Sequence, residues 1–417
     1  MMHRYTTLLI ALALTAFAAT ARAEPEILLP KHRLEPRELA VIVNDRDPLS
    51  REIAHYYLQK RGIPEENLIH IDFDPGRSAL SPEQFAALKA RVDAATPAHV
   101  QAYALTWAAP YRVGCMSITS AFALGYDRRW CSQARCAPTQ ASGYFDSASV
   151  APHDQLHMRP TMALAAQDFL QAKALIDRGI ESDGSRPTGS AYLVSTTDKA
   201  RNVRAALYPL IARSFSPLIR TEVVRLDALL HRDDVLFYFT GRAQIDGLDT
   251  LRFRPGAVAD HLTSAGGKLT DSGQMSALRW LEAGATGSYG TVVEPCNLLG
   301  KFPNPGVLMT HYLRGATLIE AYWKSVQMPG EGIFIGEPLA APFDFREVER
   351  AEDGIELNTW SLAPGVYRLH TAPSPIGPFR PTTHAVRAAF PPSPLRLPDL
   401  GAAVYRLAPL DRQAAHP

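Results

Sequence analysis

Apolar segments of strand type alternate with helix-like segments along most of this 417-residue chain, and this alternation constrains the fold more than any other feature. Segment 38–74 shows the repeating unit, in which a strand, a turn, a helix and a second strand follow one another. Residues 39–43 form the continuous apolar run that is typical of a buried strand. Pro48 opens the helix and Gly62 ends it, so the segment is predicted to form half of a parallel α/β sheet.

The same alternation continues towards residue 336. Further helices are predicted near 82–94, 164–178, 198–207, 273–283 and 306–327, and further strands near 99–107, 190–196, 221–227, 234–240, 257–263, 286–293 and 332–336. We therefore predict the α/β class, with a mostly parallel sheet and helices on both faces. Ligands of such sheets bind beyond the carboxyl ends of the strands, so we expect the site at an edge that carries Trp107, Thr240 and Ser264.

The first residues have the pattern of a secretory signal peptide, predicted to span 1–23. A short basic start is followed by an apolar run over 8–19, too short to span a bilayer, and by the small-residue site Ala-Arg-Ala before Glu24. An uncleaved anchor is the alternative. No later segment reaches membrane-spanning length, so we expect an exported protein, periplasmic or extracellular, with no membrane span after cleavage.

Two shifts in composition divide the remaining chain. Residues 108–160 interrupt the alternation with glycines, prolines and three cysteines, which indicates an irregular insertion within an α/β domain spanning 24–345. A boundary is predicted near 346–355, because short alternating strands and proline turns follow it. Residues 352–410 are therefore predicted to form a small β-sandwich-like domain.

The overall charge does not indicate any particular class of binding partner. Lys and Arg number 43 against 42 Asp and Glu, so no basic surface for nucleic acid is expected. We also expect no cofactor.

Export changes the interpretation of the four cysteines. In an oxidising compartment Cys115, Cys131, Cys136 and Cys296 are able to form two disulfides, with three possible pairings. Cys131 and Cys136 are close enough in sequence to close a small loop. A zinc site and four buried thiols are the alternatives.

Ser264 follows the predicted strand 257–263 and is either a nucleophile at a strand end or the first residue of a turn. The G-x-S-x-G pattern of a nucleophile elbow is absent, because position 262 is leucine. His261 is close in sequence, but in a strand it lies on the face opposite to Ser264. A local serine and histidine pair is therefore not expected.

Three other groups are candidates for chemistry. His153 and His157, with Asp154 beside them, have the spacing of metal ligands on a helix, although Pro152 and Pro160 leave room for barely two turns. The alternative is a set of histidines that pack within a loop.

Arg201 and Arg204 lie one helical turn apart near a predicted helix start, where they are candidates to hold an anion. An ordinary solvated helix face is the alternative. Cys296 is a candidate nucleophile near a strand end, but no histidine motif activates it and a disulfide competes for its sulfur.

Several sequence segments, taken together, resemble known protein families. "VIVNDRDPLSREIAHYYLQKRGIPEENL", "GSAYLVSTTDKARNVRAAL", "ADHLTSAGG" and "LEAGATGSYGTVVEPC" resemble an uncharacterised family of exported bacterial proteins over roughly residues 38–345. The order of "FYFTGR", "TSAGG", "GATGSYG" and "GEPL" resembles, more distantly, the gingipain-type cysteine peptidases of the caspase-like fold.

The gingipain resemblance implies a fold but not its chemistry. Those peptidases carry His-Gly after one strand, Ser-Cys after the next and a later Gly-Asp-Pro. The matching positions here read Gly241-Arg242 or Arg242-Ala243, then Thr263-Ser264 or Ser264-Ala265, and finally Gly336-Glu337-Pro338. An arginine, protonated at any ordinary pH, does not act as a base for a serine.

The leading hypothesis is therefore a catalytically silent, peptidase-like domain that binds a peptide or a cell-envelope component. In it Arg242 anchors a carboxylate or an oxyanion, and Asp246 and Ser264 line the cleft. One alternative is an active hydrolase that uses Cys296 or a metal held by His153, Asp154 and His157. Another is a structural protein that assembles through its C-terminal strands.

Overall fold

The computed structural model describes residues 24–410, so the predicted signal peptide lies outside the described residues. The helices in this range are α1 Pro48–Arg61, α2 Pro82–Ala95, α3 Ile118–Leu124, α4 Pro152–Leu156, α5 Phe169–Ser182, α6 Tyr208–Phe215, α7 Leu278–Glu282, α8 Pro305–Leu313 and α9 Leu318–Ser325. Within residues 24–410, no helix has the length and apolarity that crossing a membrane requires.

The strands form one large sheet and three small ones. In chain order they are β1 Glu26–Leu28, β2 Leu39–Asn44, β3 Leu68–Ile71, β4 Ala79–Leu80, β5 Ala102–Leu105, β6 Arg112–Val113, β7 Met116–Ser117, β8 Thr161–Ala163, β9 Ser190–Ser195, β10 Arg220–Arg225, β11 Val235–Thr240, β12 Phe253–His261, β13 Gly287–Thr291, β14 Gly332–Gly336, β15 Glu347–Ala351, β16 Gly354–Asn358, β17 Gly365–Ala372, β18 Arg380–Ala388, β19 Leu395–Leu397 and β20 Val404–Pro409.

The large sheet has ten strands in the order β10-β9-β11-β12-β13-β14-β8-β5-β2-β3. All neighbours pair in parallel except β13 and β14, which are antiparallel. Asp260 and His261, consecutive on β12, point to opposite faces and contact residues before α6 and within α7 respectively. The predicted α/β class, with a mostly parallel sheet and helices on both faces, is confirmed.

The one antiparallel pair divides the sheet into two halves whose strands run in opposite directions. Because β14 is antiparallel to β13 and parallel to β8, the strands β8, β5, β2 and β3 run against those from β10 to β13. The carboxyl end of β5, which leads to Trp107, therefore lies at the edge opposite to the carboxyl ends of β11 and β12. The prediction that Trp107, Thr240 and Ser264 share one edge is wrong.

Several helices differ from the predicted segments because capping groups set their ends. Helix α5 begins after Asp168, whose carboxylate accepts a hydrogen bond from the backbone N–H of Gln171, so it lies a few residues later than the predicted segment 164–178. The predicted helix 306–327 is two helices, α8 and α9. Gly315, with φ of +81°, turns the chain between them, and Thr317 forms a capping box at the start of α9.

Two other predicted helices are largely irregular. The segment predicted as 273–283 is helical only over α7. The segment predicted as 198–207 begins as a turn, and a 3₁₀ helix over Asn202–Leu207 follows it. Arg201 lies in the turn before the 3₁₀ helix and Arg204 lies within it, so the two residues do not have the α-helical relationship that the sequence suggested.

The C-terminal strands form two antiparallel sheets around a separate apolar cluster. β15, β16 and β19 form one sheet, and β17, β18 and β20 form most of the other. Leu357, Leu369 and Leu407 are among the buried members of the cluster. The division into domains remains a prediction, but the structure adds one correction. β1, which had been assigned with the α/β segment, pairs in parallel with β20 instead.

Candidate functional site

A small cavity opens beside the carboxyl end of β12. Its volume is about 230 Å³, and its lining residues are Ala200, Arg201, Leu262, Thr263, Ser264, Glu294, Cys296 and Asn297. The pairing of Thr240 with His261 places the ends of β11 and β12 side by side, as the peptidase resemblance implies for its two motifs. The cavity therefore lies at the edge where a ligand of this half of the sheet is expected.

The loop that carries Ser264 is held in place by close backbone packing. A Cβ atom at Gly267 would lie 2.6 Å from the carbonyl oxygen of Gly290, so only glycine allows this approach to β13. Thr291 Oγ1 donates to the carbonyl oxygen of Ser264 at 3.1 Å. The half-buried Ser264 therefore has a fixed backbone position.

Arg201 is the cationic group of the cavity. Its Nε donates to Thr263 Oγ1 at 3.1 Å, and its Nη1 donates to Asp198 Oδ2 at 2.9 Å. Thr263 Oγ1 in turn donates to Gln274 Oε1 at 2.7 Å. The arginine is thus oriented by two partners, and its charge is partly balanced by Asp198.

His261 does not belong to this cavity. It is 2% exposed, its Nδ1 accepts a hydrogen bond from Trp280 Nε1 at 2.9 Å, and its Nε2 lies 3.1 Å from the carbonyl oxygen of Met275. With Nδ1 as acceptor, Nε2 carries the proton and donates it to that carbonyl. Burial lowers the pKa of His261 to about 4, so the ring is neutral and both nitrogens are occupied.

We expect His261 to make the stability of the fold depend on pH. Its pKa falls from the ordinary 6.5 to about 4 on folding, so the unfolded chain takes up this proton first. Its stabilising contribution is therefore complete above about pH 6.5 and is lost as the pH falls towards 4. Between pH 7 and about pH 4.5, the free energy of unfolding of the original chain should fall by about 2–3 kcal/mol more than that of His261→Gln.

Urea unfolding of both proteins at several pH values measures this difference. Burial also lowers the pKa of His311 to about 4, but His311 is present in both proteins and cancels in the comparison. Parallel pH profiles for the two proteins would contradict the expectation.

The four cysteines form two disulfides, Cys115–Cys131 and Cys136–Cys296. The prediction of two disulfides is thus confirmed, and the suggested small loop between Cys131 and Cys136 is wrong. The Sγ of Cys296 is bonded to Cys136 beside the cavity, so no thiol is available there and Cys296 does not serve as a nucleophile.

The structure separates the other predicted ligand residues. Arg204 is 2% exposed, its charge is already balanced by an ion pair with the equally buried Asp260, and it lines a different cavity from Ser264. Arg242 Nη1 lies 3.5 Å from Asp227 Oδ2, and neither Arg242 nor the exposed Asp246 lines the Ser264 cavity. Only Arg201 and Ser264 of the predicted set meet there.

The predicted metal site is not formed. Helix α4 ends at Leu156, and His157 follows it in the left-handed conformation with φ of +53°, so the two histidines do not share a helix face. Among residues 24–410, no group of three His, Cys, Asp or Glu side chains is placed to hold a metal ion. The alternative in which His153, Asp154 and His157 hold a metal ion is therefore not supported by this arrangement.

Glu337, at the position of the peptidases' Gly-Asp-Pro, is a structural residue. It is fully buried and accepts hydrogen bonds from Tyr57 Oη at 2.6 Å and from Arg61 Nε at 2.9 Å. It follows β14, which ends where β13 begins, so it lies away from the Ser264 cavity.

Glu294 is the cavity residue that the sequence analysis missed. It follows β13, and its Oε1 accepts a hydrogen bond from the backbone N–H of Cys296 at 2.8 Å. The signal available in the sequence was its position just beyond a predicted strand, two residues before Cys296. The cavity therefore presents one carboxylate and one guanidinium.

Comparison with known proteins adds little to this description. No family model and no curated protein matches the chain. A solved structure described as "Structure of Protease" is similar with a TM-score of 0.38 and 9% identity, over 89% of this chain and 92% of that one. So weak a likeness carries no argument about function, and the resemblances seen in the sequence remain predictions.

Proposed function

We propose that this chain is an exported protein that binds a peptide or another cell-envelope component in the Ser264 cavity without cleaving it. Export is supported by the signal-peptide pattern of residues 1–23 and by two disulfides, which persist in oxidising compartments. N-terminal sequencing of the protein recovered from outside the cytoplasm should begin at about Glu24.

The absence of a base for Ser264 carries the non-catalytic part of the proposal. Hydroxyl attack on a carbonyl requires a group that removes the proton, usually a histidine. The residues that line the cavity include no imidazole, and the nearby ring of His261 is committed to Trp280 and Met275. Arg201 remains protonated at any ordinary pH and cannot take this role.

The polar groups of the cavity favour a peptide segment as the ligand. Arg201 donates hydrogen bonds, Glu294 accepts them, and a peptide offers both carbonyl acceptors and N–H donors. The cavity, at about 230 Å³, is smaller than the pockets that enclose drug-sized molecules, about 300–1,000 Å³. It therefore suits one or two residues of a longer chain that continues over the surface.

We expect the folded protein to retain peptides from a mixed library without cleaving them, and to leave a fluorophosphonate probe unreacted. Retained peptides are separated by gel filtration and identified by mass spectrometry, which also reports any cleavage products and any label on Ser264. Ala200→Trp, which places an indole at the wall of the cavity, should remove most of the retained set.

Ala95→Trp is the matched control, because Ala95 is exposed at the end of α2, outside the cavity lining, and its replacement should leave retention unchanged. Labelling or peptide cleavage that disappears in Ser264→Ala would show an active serine enzyme and overturn the proposal. Equal retention by Ala200→Trp and by the control would place any peptide binding elsewhere.

A further inference from the structure

A second cavity, of about 310 Å³, lies between the helices of the large sheet and the C-terminal strands. His311 of α8, Arg314 just after it and Lys324 of α9 line one side, and Leu362 and Tyr367 of the C-terminal segment line the other. This volume lies at the lower end of the range for small-molecule pockets, about 300–1,000 Å³. The cavity thus combines a basic wall with an apolar one.

Lys324 is a buried cation without an anionic partner. It is 3% exposed, and in the described part of the chain no carboxylate oxygen lies within ion-pairing distance of its Nζ. Its Nζ lies 5.2 Å from the centre of the Tyr144 ring, which partly compensates its charge, as do the more distant carboxylates of Glu320 and Asp146. Burial lowers the pKa of Lys324; the charge of Glu320 opposes this shift, and the charge of Arg314 adds to it.

Two carboxylates lie near Lys324 without forming an ion pair with it, although Glu320 Oε1 is buried and has no hydrogen-bond partner. Asp146 Oδ1 lies 3.0 Å from Nε2 of His311. Glu320, one turn before Lys324 on α9, uses Oε2 to accept hydrogen bonds from the hydroxyl and N–H of Thr317 and from the N–H of Leu34. Neither carboxylate therefore neutralises Lys324 directly.

Arg314 repeats the pattern on the same wall. Its Nε is buried and has no hydrogen-bond partner, and no ion pair to Arg314 occurs among the described residues. Burial lowers the pKa of Arg314. A buried donor without a partner costs free energy, and this cost is highest for charged groups. Two adjacent cations with unmet hydrogen-bonding capacity are the arrangement that an anion would complete.

We propose that this cavity binds a small organic carboxylate, with its carboxylate group on Lys324 and Arg314 and its apolar part against Leu362 and Tyr367. An organic acid suits the site better than inorganic phosphate for two reasons. The opposite wall is apolar, and the carboxylate of Asp146 at the cavity repels a second negative charge. The proposal is independent of the Ser264 cavity.

Titration calorimetry with benzoate tests this proposal on the full mature protein. Benzoate should bind, and benzamide, which has the same shape without the charge, should not. Lys324→Met and Arg314→Gln should each weaken benzoate binding about tenfold or more, since each removes a charged hydrogen-bond partner. Lys89→Met, which removes a lysine of α2 paired with Asp93, is the control and should bind benzoate like the original chain.

Each other outcome would overturn the proposal. Equal binding of benzamide would show an apolar cavity that ignores charge, and tighter binding of inorganic phosphate would show a phosphate site. Unchanged benzoate affinity in both variants would place binding elsewhere. If Lys324→Met fails to fold, Arg314→Gln decides alone, because Arg314 is only partly buried and its loss should be tolerated.

Discussion

Replacing Arg204 with methionine should lower the free energy of unfolding by about 3–5 kcal/mol. Arg204 and Asp260 form an ion pair in which each side chain is 2% exposed. The guanidinium also donates to the carbonyl oxygens of Thr240 at 2.7 Å and Pro303 at 3.2 Å. Removing it leaves the Asp260 carboxylate buried without its donor and takes a donor from the Pro303 carbonyl, whereas the Thr240 carbonyl still accepts from the N–H of Leu262.

Arg201→Met is the matched control for this experiment. Arg201 lies three residues earlier and is also paired, with Asp198, but its side chain is 27% exposed. A partly solvated pair of this kind contributes about 1 kcal/mol or less, so the control should lose little stability. Urea unfolding at pH 7 measures both variants.

A double variant distinguishes the cost of an unpaired buried charge from the cost of lost packing. Arg204→Met combined with Asp260→Leu removes both charges and should recover most of the lost stability, since the isolated carboxylate causes the main cost. Equal losses for Arg204→Met and Arg201→Met would contradict this account of the pair.

Loss of the Cys136–Cys296 disulfide should cost about 5 kcal/mol, and loss of Cys115–Cys131 about 3 kcal/mol. A disulfide restricts the unfolded chain, and the restriction grows with the length of chain that it closes. The sequence separations are 160 residues for the first bond and 16 for the second. Loss of the Cys136–Cys296 bond should therefore lower the free energy of unfolding more than loss of the Cys115–Cys131 bond.

Paired alanine substitutions, Cys136→Ala with Cys296→Ala and Cys115→Ala with Cys131→Ala, provide the comparison. Guanidinium unfolding of the two variants and of the original chain gives the free energies. Adding a reductant to the original chain should lower its stability below that of either variant. A larger loss for the Cys115–Cys131 variant would contradict the loop-length argument.

Local patterns in the sequence predicted the fold class because each strand and helix is specified by neighbouring residues. The apolar run of β2 and the proline and glycine at the ends of α1 are signals of this kind. The reversal of direction between β13 and β14 carries no such signal, since a strand has the same composition whichever way its neighbour runs. The wrong edge assigned to Trp107 follows from this.

The candidate site was only partly predictable for a related reason. Arg201 and Arg204 are equivalent in sequence, yet Arg201 lines the Ser264 cavity and Arg204 is buried against Asp260. The difference arises from the turn and 3₁₀ helix that replace the expected α-helix, and from a partner more than fifty residues away. Long-range pairing of this kind is not encoded in local spacing, which also explains why the pairing of the cysteines stayed open.

The pairing of β1 with β20 has a consequence for how the chain is made. Glu26 lies opposite Val404, so β1, which is synthesised early, can pair only after β20 has been synthesised near the end of the chain. Until then the backbone N–H and C=O groups that pair with β20 have no partner strand, and a strand of another molecule is able to add to them. The incomplete chain should therefore need protection from self-association, which chaperones rather than the finished fold must provide.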